Sequence, residues 1–272
     1  TWLNDGWKYR GFNKMSRDAQ KNYVARVQYE LDLIVSKDFV DYFLMLSDAV
    51  RATKDHGIPV GPARGSAAAS LVCFLLRITE IDPMLYPQMM FERFIDPNRF
   101  DLPDVDLDFD DEHRDYVRQH MIMRYGADRV GNIGTYTRYR GKNSIDDVAR
   151  VYEIPAFEAA KIKEVLVERS GGDSRFDASL EDTIAQFPQA QEVFDRYPEF
   201  AHSIRLEGNL KGFGVHAAGV VVGAKPLHEY VATYTRHNVG PEKKTLQVLS
   251  VDNYDGEYLE LLKLDALGQK TK

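Results

Sequence analysis

Pro103-Asp104-Val105-Asp106-Leu107-Asp108-Phe109 decides how the rest of the chain is read. Carboxylates alternate there with apolar residues at a period of two. On a β-strand that period puts Asp104, Asp106 and Asp108 on one face and Val105, Leu107 and Phe109 on the other. Side chains two residues apart on a strand stand roughly 6.6 Å apart. Like charges at that spacing repel, so such a strand is stable when cations sit between its carboxylates. Oxygen ligands of this kind select a hard cation, Mg²⁺ or Mn²⁺. The alternative is a solvated acidic edge, and the apolar set Val105, Leu107 and Phe109, which reads as a core face, weighs against it. A calcium-binding EF-hand starting at Asp104 is excluded. Its loop needs Gly at the sixth position and Glu at the twelfth, where the chain has Phe109 and Asp115.

The chain around this stretch has 272 residues, a formal net charge of −7, 44% hydrophobic residues and 28% charged ones. The length allows one large domain or two small ones, and the composition is that of an ordinary globular protein. The negative charge argues against a protein that coats DNA everywhere but allows a local basic groove. Acidic residues crowd into 101–115, and Arg138, Arg140 and Lys142 form a basic strip. An acidic site with a separate basic strip suits an enzyme that holds metal ions in one place and a polyanion beside it. No apolar run reaches membrane-spanning length, and Thr1-Trp2-Leu3-Asn4-Asp5 does not open a signal peptide. The single cysteine, Cys73, sits in an apolar run and reads as a buried hydrophobe, which fits a reducing, cytoplasmic setting.

Upstream of the acidic stretch, Val24, Val27, Leu31 and Ile34 fall at helical spacing and predict a helix over 15–36. A second helix is expected over 39–56, ended by Gly57. After a short extended piece, residues 61–70 read as a glycine turn running into a small-residue helix that continues through Leu76. Such a turn exposes backbone N–H groups where a helix dipole favours anions. Gly65 would let the backbone approach a phosphate, Ser66 could cap the helix or donate to an oxygen, and Arg64 could form a bidentate pair. The alternative is a tightly packed helix start. It is not a Walker A loop, because no Gly-Lys-Ser/Thr follows at the right offset.

Downstream, Asp110 to Glu112 are expected to open a helix that runs through Arg124 and stops at Gly126. Residues 143–170 read as helices, with Asn143 or Ser144 as cap and Pro155 at a helix start. Ser170-Gly171-Gly172-Asp173 reads as a loop, and 180–206 as short helices broken by Pro188 and Pro198. Residues 143–206 thus read as a helical insertion. Strand character returns at 215–222, 245–251 and 259–265, where Lys263 and Asp265 share a face.

Arg64-Gly65-Ser66, the 103–109 stretch and Lys263-Leu264-Asp265 together resemble the core of bacterial family C replicative DNA polymerases. Tyr42-Phe43-Leu44, Gly57-Ile58-Pro59-Val60-Gly61, Phe91-Glu92-Arg93-Phe94, Arg114-Asp115, His216-Ala217-Ala218-Gly219-Val220 and Gly268 extend the likeness in order along nearly the whole chain. The family usually has Gly where this chain has Ala63, and a different run after Asp265. The resemblance implies an α+β fold: a DNA-polymerase-beta-like nucleotidyltransferase palm sheet with flanking helices and an inserted helical thumb. The palm would comprise 1–142 and 207–272, and the thumb 143–206. It implies two Mg²⁺ ions, with Mn²⁺ as a substitute, held by Asp106, Asp108 and Asp265, with Asp104 in support. Arg64, Gly65, Ser66 and Lys263 would bind the nucleotide triphosphate, and Arg138, Arg140 and Lys142 the DNA. His216 would face the active site or be a satisfied core histidine. The implied partners are primer-template DNA, dNTP and other replisome subunits such as a sliding clamp, reached through parts outside this chain, with no membrane. The implied activity is DNA-templated nucleotidyl transfer to a primer 3′-hydroxyl. The fingers would follow residue 272 and a phosphoesterase-like domain would precede residue 1, so this piece alone is expected to polymerise poorly. A template-independent nucleotidyltransferase and an excised, non-catalytic fragment that binds DNA or partner subunits are the rival readings.

Overall fold

A computed structural model describes residues 1–99, 102–167, 179–239, 244–259 and 261–269. Four helices precede the acidic strand: α1 (Trp2–Tyr9), α2 (Arg17–Ser36), α3 (Val40–Asp55) and α4 (Leu71–Leu75). Then follow β1 (Asp106–Asp110), α5 (Arg114–Tyr125), β2 (Val130–Arg138), α6 (Gly141–Val151) and α7 (Ala156–Glu164). The chain continues through α8 (Leu180–Gln186), α9 (Pro188–Arg196), α10 (Ala201–Leu206), β3 (Leu210–Val222), β4 (Thr233–Val239), β5 (Lys244–Leu249), α11 (Asn253–Tyr258) and β6 (Leu262–Gln269). Among the described residues, no helix is long and apolar enough to cross a membrane. The expected loop at 170–173 lies outside the described residues.

The contacts divide the chain into two units, Thr1–Ile133 with Val215–Lys272, and Gly134–Gly214. The fold is mixed α/β, with helices flanking a six-stranded sheet of order β1-β6-β3-β2-β5-β4. β1 and β6 run parallel, as do β2 and β5, whereas β3 with β6 and β4 with β5 are antiparallel.

In the first unit the period-two reading of β1 holds. Val105, Leu107 and Phe109 are no more than 4% exposed. They join Val220, Val222, Leu264 and Ala266 in a core closed by Phe43 and Leu46 of α3 and by Val117 and Met121 of α5. Each such buried side chain contributes about 1.5–3 kcal/mol. A second cluster, Ile133, Val221, Leu227, Leu249 and Leu261, takes the other face of β3, since Val221 lies between Val220 and Val222. α2 starts where the Ser16 hydroxyl accepts the Ala19 N–H at 3.3 Å, and α2 and α3 lie within the helices expected over 15–36 and 39–56.

The second unit has its own core of Ile145, Val148, Ile162, Leu180, Val193 and Phe200. Pro188 occupies the first turn of α9, where its missing N–H costs nothing, and Pro198 opens a 3-10 turn before α10.

Four local expectations change. The small-residue stretch is not one helix: Gly65–Ala69 is a 3-10 turn, Ser70 is extended, and α4 begins only at Leu71. Ser70 breaks the run because its Oγ accepts the Cys73 N–H at 3.1 Å and caps α4. α5 begins at Arg114 rather than Asp110, because Asp110 is still in β1, paired with Gln269. α6 begins at Gly141, so neither Asn143 nor Ser144 caps it; Ser144 is buried and its hydroxyl donates to the Arg140 carbonyl. β6 begins at Leu262, after α11, three residues later than expected.

Candidate metal and phosphate site

Parallel pairing of β1 with β6 sets Asp106 directly beside Asp265. Neighbours in register share a face of the sheet, so the two carboxylates stand together. Asp104, exposed just before β1, adds a third. One carboxylate oxygen from each of Asp104, Asp106 and Asp265 lies within 4.8 Å of the other two. At that separation each pair of charges repels by about 3 kcal/mol at an effective dielectric constant near 20.

Two cations answer part of this repulsion. Lys263 Nζ lies 2.9 Å from Asp265 Oδ2, which joins the two residues expected to share a face. Arg64 lies across β1, its Nε 3.4 Å from Asp106 Oδ2 and its Nη1 3.1 Å from Asp108 Oδ1. Asp108 therefore stands with Arg64, outside the three-carboxylate group, while Asp104 stands inside it. Period two alone offered three equivalent carboxylates and could not make that distinction.

Backbone contacts bring Arg64 to the strand. Val60 bridges Phe109 in antiparallel fashion, and the Gly61 N–H donates to the Asp108 carbonyl at 2.8 Å. A Cβ on Gly61 would meet Asp108 Cβ at 2.9 Å, so only glycine allows this approach. Gly65 has φ +61 with open space around it, the left-handed conformation that glycine adopts without strain. Gly65 and Ser66 are both exposed in the turn after Arg64. Behind them, Arg26 Nη2 donates to the Ala69 carbonyl at 3.0 Å and holds the turn from α2.

The sequence offers Tyr42 only as part of the Tyr42-Phe43-Leu44 run. In the structure its phenol is 4% exposed and is held protonated: burial pushes its pKa up, and the nearby Asp104 and Asp265 carboxylates push further. Nothing local in the sequence marks it, because an aromatic on an amphipathic helix reads as core. His216 sits in β3, half-buried, with Nδ1 accepting the Gly219 N–H at 2.8 Å.

The basic strip lies in the second unit. Arg138, at the end of β2, donates from Nη1 to the Gly208 carbonyl at 2.9 Å. Arg140 precedes α6 and Lys142 lies in its first turn, both exposed.

The donor set suits a hard divalent cation. All three groups are carboxylates, and Asp265, only 9% exposed, keeps Oδ1 buried without a hydrogen-bond partner. A buried carboxylate oxygen with no donor is costly in a folded protein and is relieved by a cation.

The chain is similar to DNA polymerase III subunit alpha of Yersinia pestis, 38% identical over 250 residues, which is 92% of this chain and 20% of that protein. The subunits of Treponema pallidum (37% over 265 residues; 97% of this chain, 22% of that protein) and Thermus aquaticus (38% over 250; 90% and 20%) match similarly. The chain thus spans about a fifth of the length of these relatives. The family model described as "Bacterial DNA polymerase III alpha NTPase domain" matches residues 2–268, and with the carboxylates of β1 and β6 in place, the chain belongs to that family.

Proposed function

We propose that this chain is the palm and thumb core of a DNA-templated DNA polymerase that adds dNTP to a primer 3′-hydroxyl. The palm is a DNA-polymerase-beta-like nucleotidyltransferase sheet formed by 1–142 and 207–272, and residues 143–206 form the thumb. The observation that carries the reading is the juxtaposition of Asp106 and Asp265, distant in sequence and paired across parallel strands, with Asp104 beside them.

Phosphoryl transfer depends on alignment and charge stabilisation more than on covalent help from the protein. The reaction joins the primer 3′-oxygen to the α-phosphorus of the nucleotide and breaks the α–β phosphoanhydride, releasing pyrophosphate. Asp106, Asp108 and Asp265, with Asp104 in support, would hold magnesium. When bound, a pair of such ions neutralises developing charge and lowers the pKa of the primer hydroxyl. Asp108 also pairs with Arg64. Lys263 orients Asp265 and presents its ammonium to the triphosphate. Arg64 exchanges its carboxylate partners for triphosphate oxygens, to which its planar fork is equally suited. The Gly65 and Ser66 amides hold the same phosphates. Arg138, Arg140 and Lys142 contact the DNA backbone, which positions the duplex without reading bases. The partners are primer-template DNA, dNTP and other replisome subunits, in the cytoplasm.

Asp106→Asn and Asp265→Asn test the reading. Each is expected to abolish Mg²⁺ binding to the chain, measured by calorimetry, and primer extension by the full-length protein. Full incorporation by either purified variant refutes it. Extension that ignores template sequence would instead favour a template-independent nucleotidyltransferase.

A further inference from the structure

His216 lies against Gly219, the β3 residue that faces Asp265 across the sheet, and its ring geometry gives it a defined chemical capacity. β3 runs antiparallel to β6, with Gly219 directly opposite Asp265. Directly opposed residues in an antiparallel pair project to the same face. A Cβ built on Gly219 would meet His216 Nδ1 at 3.0 Å, so the imidazole covers Gly219 on the face that carries Asp265. The absence of a side chain at 219 makes room for the ring.

The ring's orientation is fixed by the backbone. Nδ1 lies 2.8 Å from the Gly219 nitrogen and 3.4 Å from that of Ala218, and it accepts from both. An accepting Nδ1 leaves the ring proton on Nε2. The residue is half-buried. Here Nδ1 holds the ring and the proton is left on Nε2.

We infer that His216 contacts substrate directly: its Nε2–H donates to a phosphate oxygen of the primer or the nucleotide held at the Asp104–Asp106–Asp265 cluster. The inference rests on the polymerase reading and adds a neutral donor to a site otherwise built from full charges. A neutral donor can approach a phosphate beside bound cations without adding to their mutual repulsion. It also adds direction, since the two backbone N–H groups leave the ring little freedom to turn.

The test uses the full-length protein with His216→Ala, His216→Gln and Gly219→Ala, and Asp265→Asn alongside. Gln returns an N–H donor near the Nε2 position. If the contact is to the nucleotide, His216→Ala raises the KM for dNTP about tenfold or more with kcat within about threefold, as expected for loss of a hydrogen bond to a charged group. Primer-template affinity, read by fluorescence anisotropy, then stays unchanged. If the contact is to the primer backbone, the anisotropy Kd rises by a similar factor and the KM does not. In both cases His216→Gln restores much of the loss, and Gly219→Ala, whose methyl displaces the ring, shifts the same parameter less. Two results overturn the inference. One is His216→Ala with unchanged KM and Kd while Asp265→Asn is inactive. The other is equal losses in the Ala and Gln variants accompanied by a lowered Tm, which marks a structural role only. If Asp265→Asn stays active, the polymerase reading itself fails, and that outcome is separate from both.

Discussion

Two carboxylates of this protein are almost equally hidden from solvent and are treated in opposite ways. Glu30, on α2, is 0% exposed and Asp265, on β6, is 9% exposed. Each oxygen of Glu30 is fully engaged. Oε1 accepts from Arg26 Nε at 2.6 Å and the Leu71 N–H at 3.0 Å, while Oε2 accepts from Ser70 Oγ at 2.8 Å and the Val72 N–H at 2.9 Å. Asp265 has Lys263 on Oδ2 and nothing on a buried Oδ1, with two further acids within 4.8 Å. Glu30 is finished by the protein. It caps α4 and, with Arg26, fixes the end of the Arg64-Gly65-Ser66 turn. Asp265 is left for something the chain does not supply. The contrast separates a carboxylate that builds the fold from one that waits for a ligand, although both are buried and charged.

The sharpest way to break the contrast is to remove each charge and read stability and function separately. Asp265→Asn is expected to lower primer extension about a thousandfold or more, on the scale of losing a principal electrostatic stabiliser. Its unfolding free energy in EDTA should hold or rise, because one source of like-charge repulsion is gone. A large loss of stability in urea titrations without metal would show that Asp265 is structural and that the contrast is wrong.

Glu30→Ala should do the reverse. It strands two backbone N–H groups and the Ser70 hydroxyl in the interior and takes from Arg26 its carboxylate partner. Breaking a buried, charged network from one side costs about 3–5 kcal/mol. The urea midpoint of the 272-residue chain should fall accordingly, while the Mg²⁺ affinity of the fraction still folded stays near that of the parent. A midpoint shift under about 1 kcal/mol would mean that the four bonds contribute no more than a surface pair.

These two residues also show what could be read in the sequence. The face of Asp265 was legible because Lys263, two residues before it, shares that face while apolar Leu262 and Leu264 take the other; its place beside the acidic strand was implied only by the family resemblance. The acidic strand was legible for the same reason, since core and chemistry alternate within one short run. Glu30 was not. A glutamate among other charges on an amphipathic helix reads as solvated, and its burial comes from α4, forty residues away in sequence. The membership of Asp104 rather than Asp108 in the acid cluster depended on where β1 begins and on Arg64 arriving over Gly61, both tertiary facts. β2 escaped because Gly131 and Gly134 interrupt its pattern and its buried residues come as one block. β4 escaped because Thr-Tyr-Thr-Arg-His-Asn-Val is polar along most of its length, as suits a strand at the end of the sheet.

Glu80 lies between the two extremes and gives the smallest effect, one with a sign fixed by pH. It pairs with both Arg10 and Lys54, and its side chain is 32% exposed. Burial works against its charge, but the hydrogen bonds from Arg10 and Lys54 outweigh that and hold the carboxyl below its ordinary 4.5. A carboxylate whose folded pKa lies below its unfolded value adds stability above the unfolded value, and loses it as pH falls through the folded one. Glu80→Gln should therefore cost about 1 kcal/mol at neutral pH, the scale of a partly solvated ion pair with two cationic partners. The gap between parent and variant should stay constant down to about pH 5 and then close as acid titrates Glu80 in the parent. Urea midpoints for the two proteins across that range measure it. A gap that persists unchanged in acid would show that Glu80 acts through its shape and neutral hydrogen bonds, placing it with groups whose worth does not depend on charge.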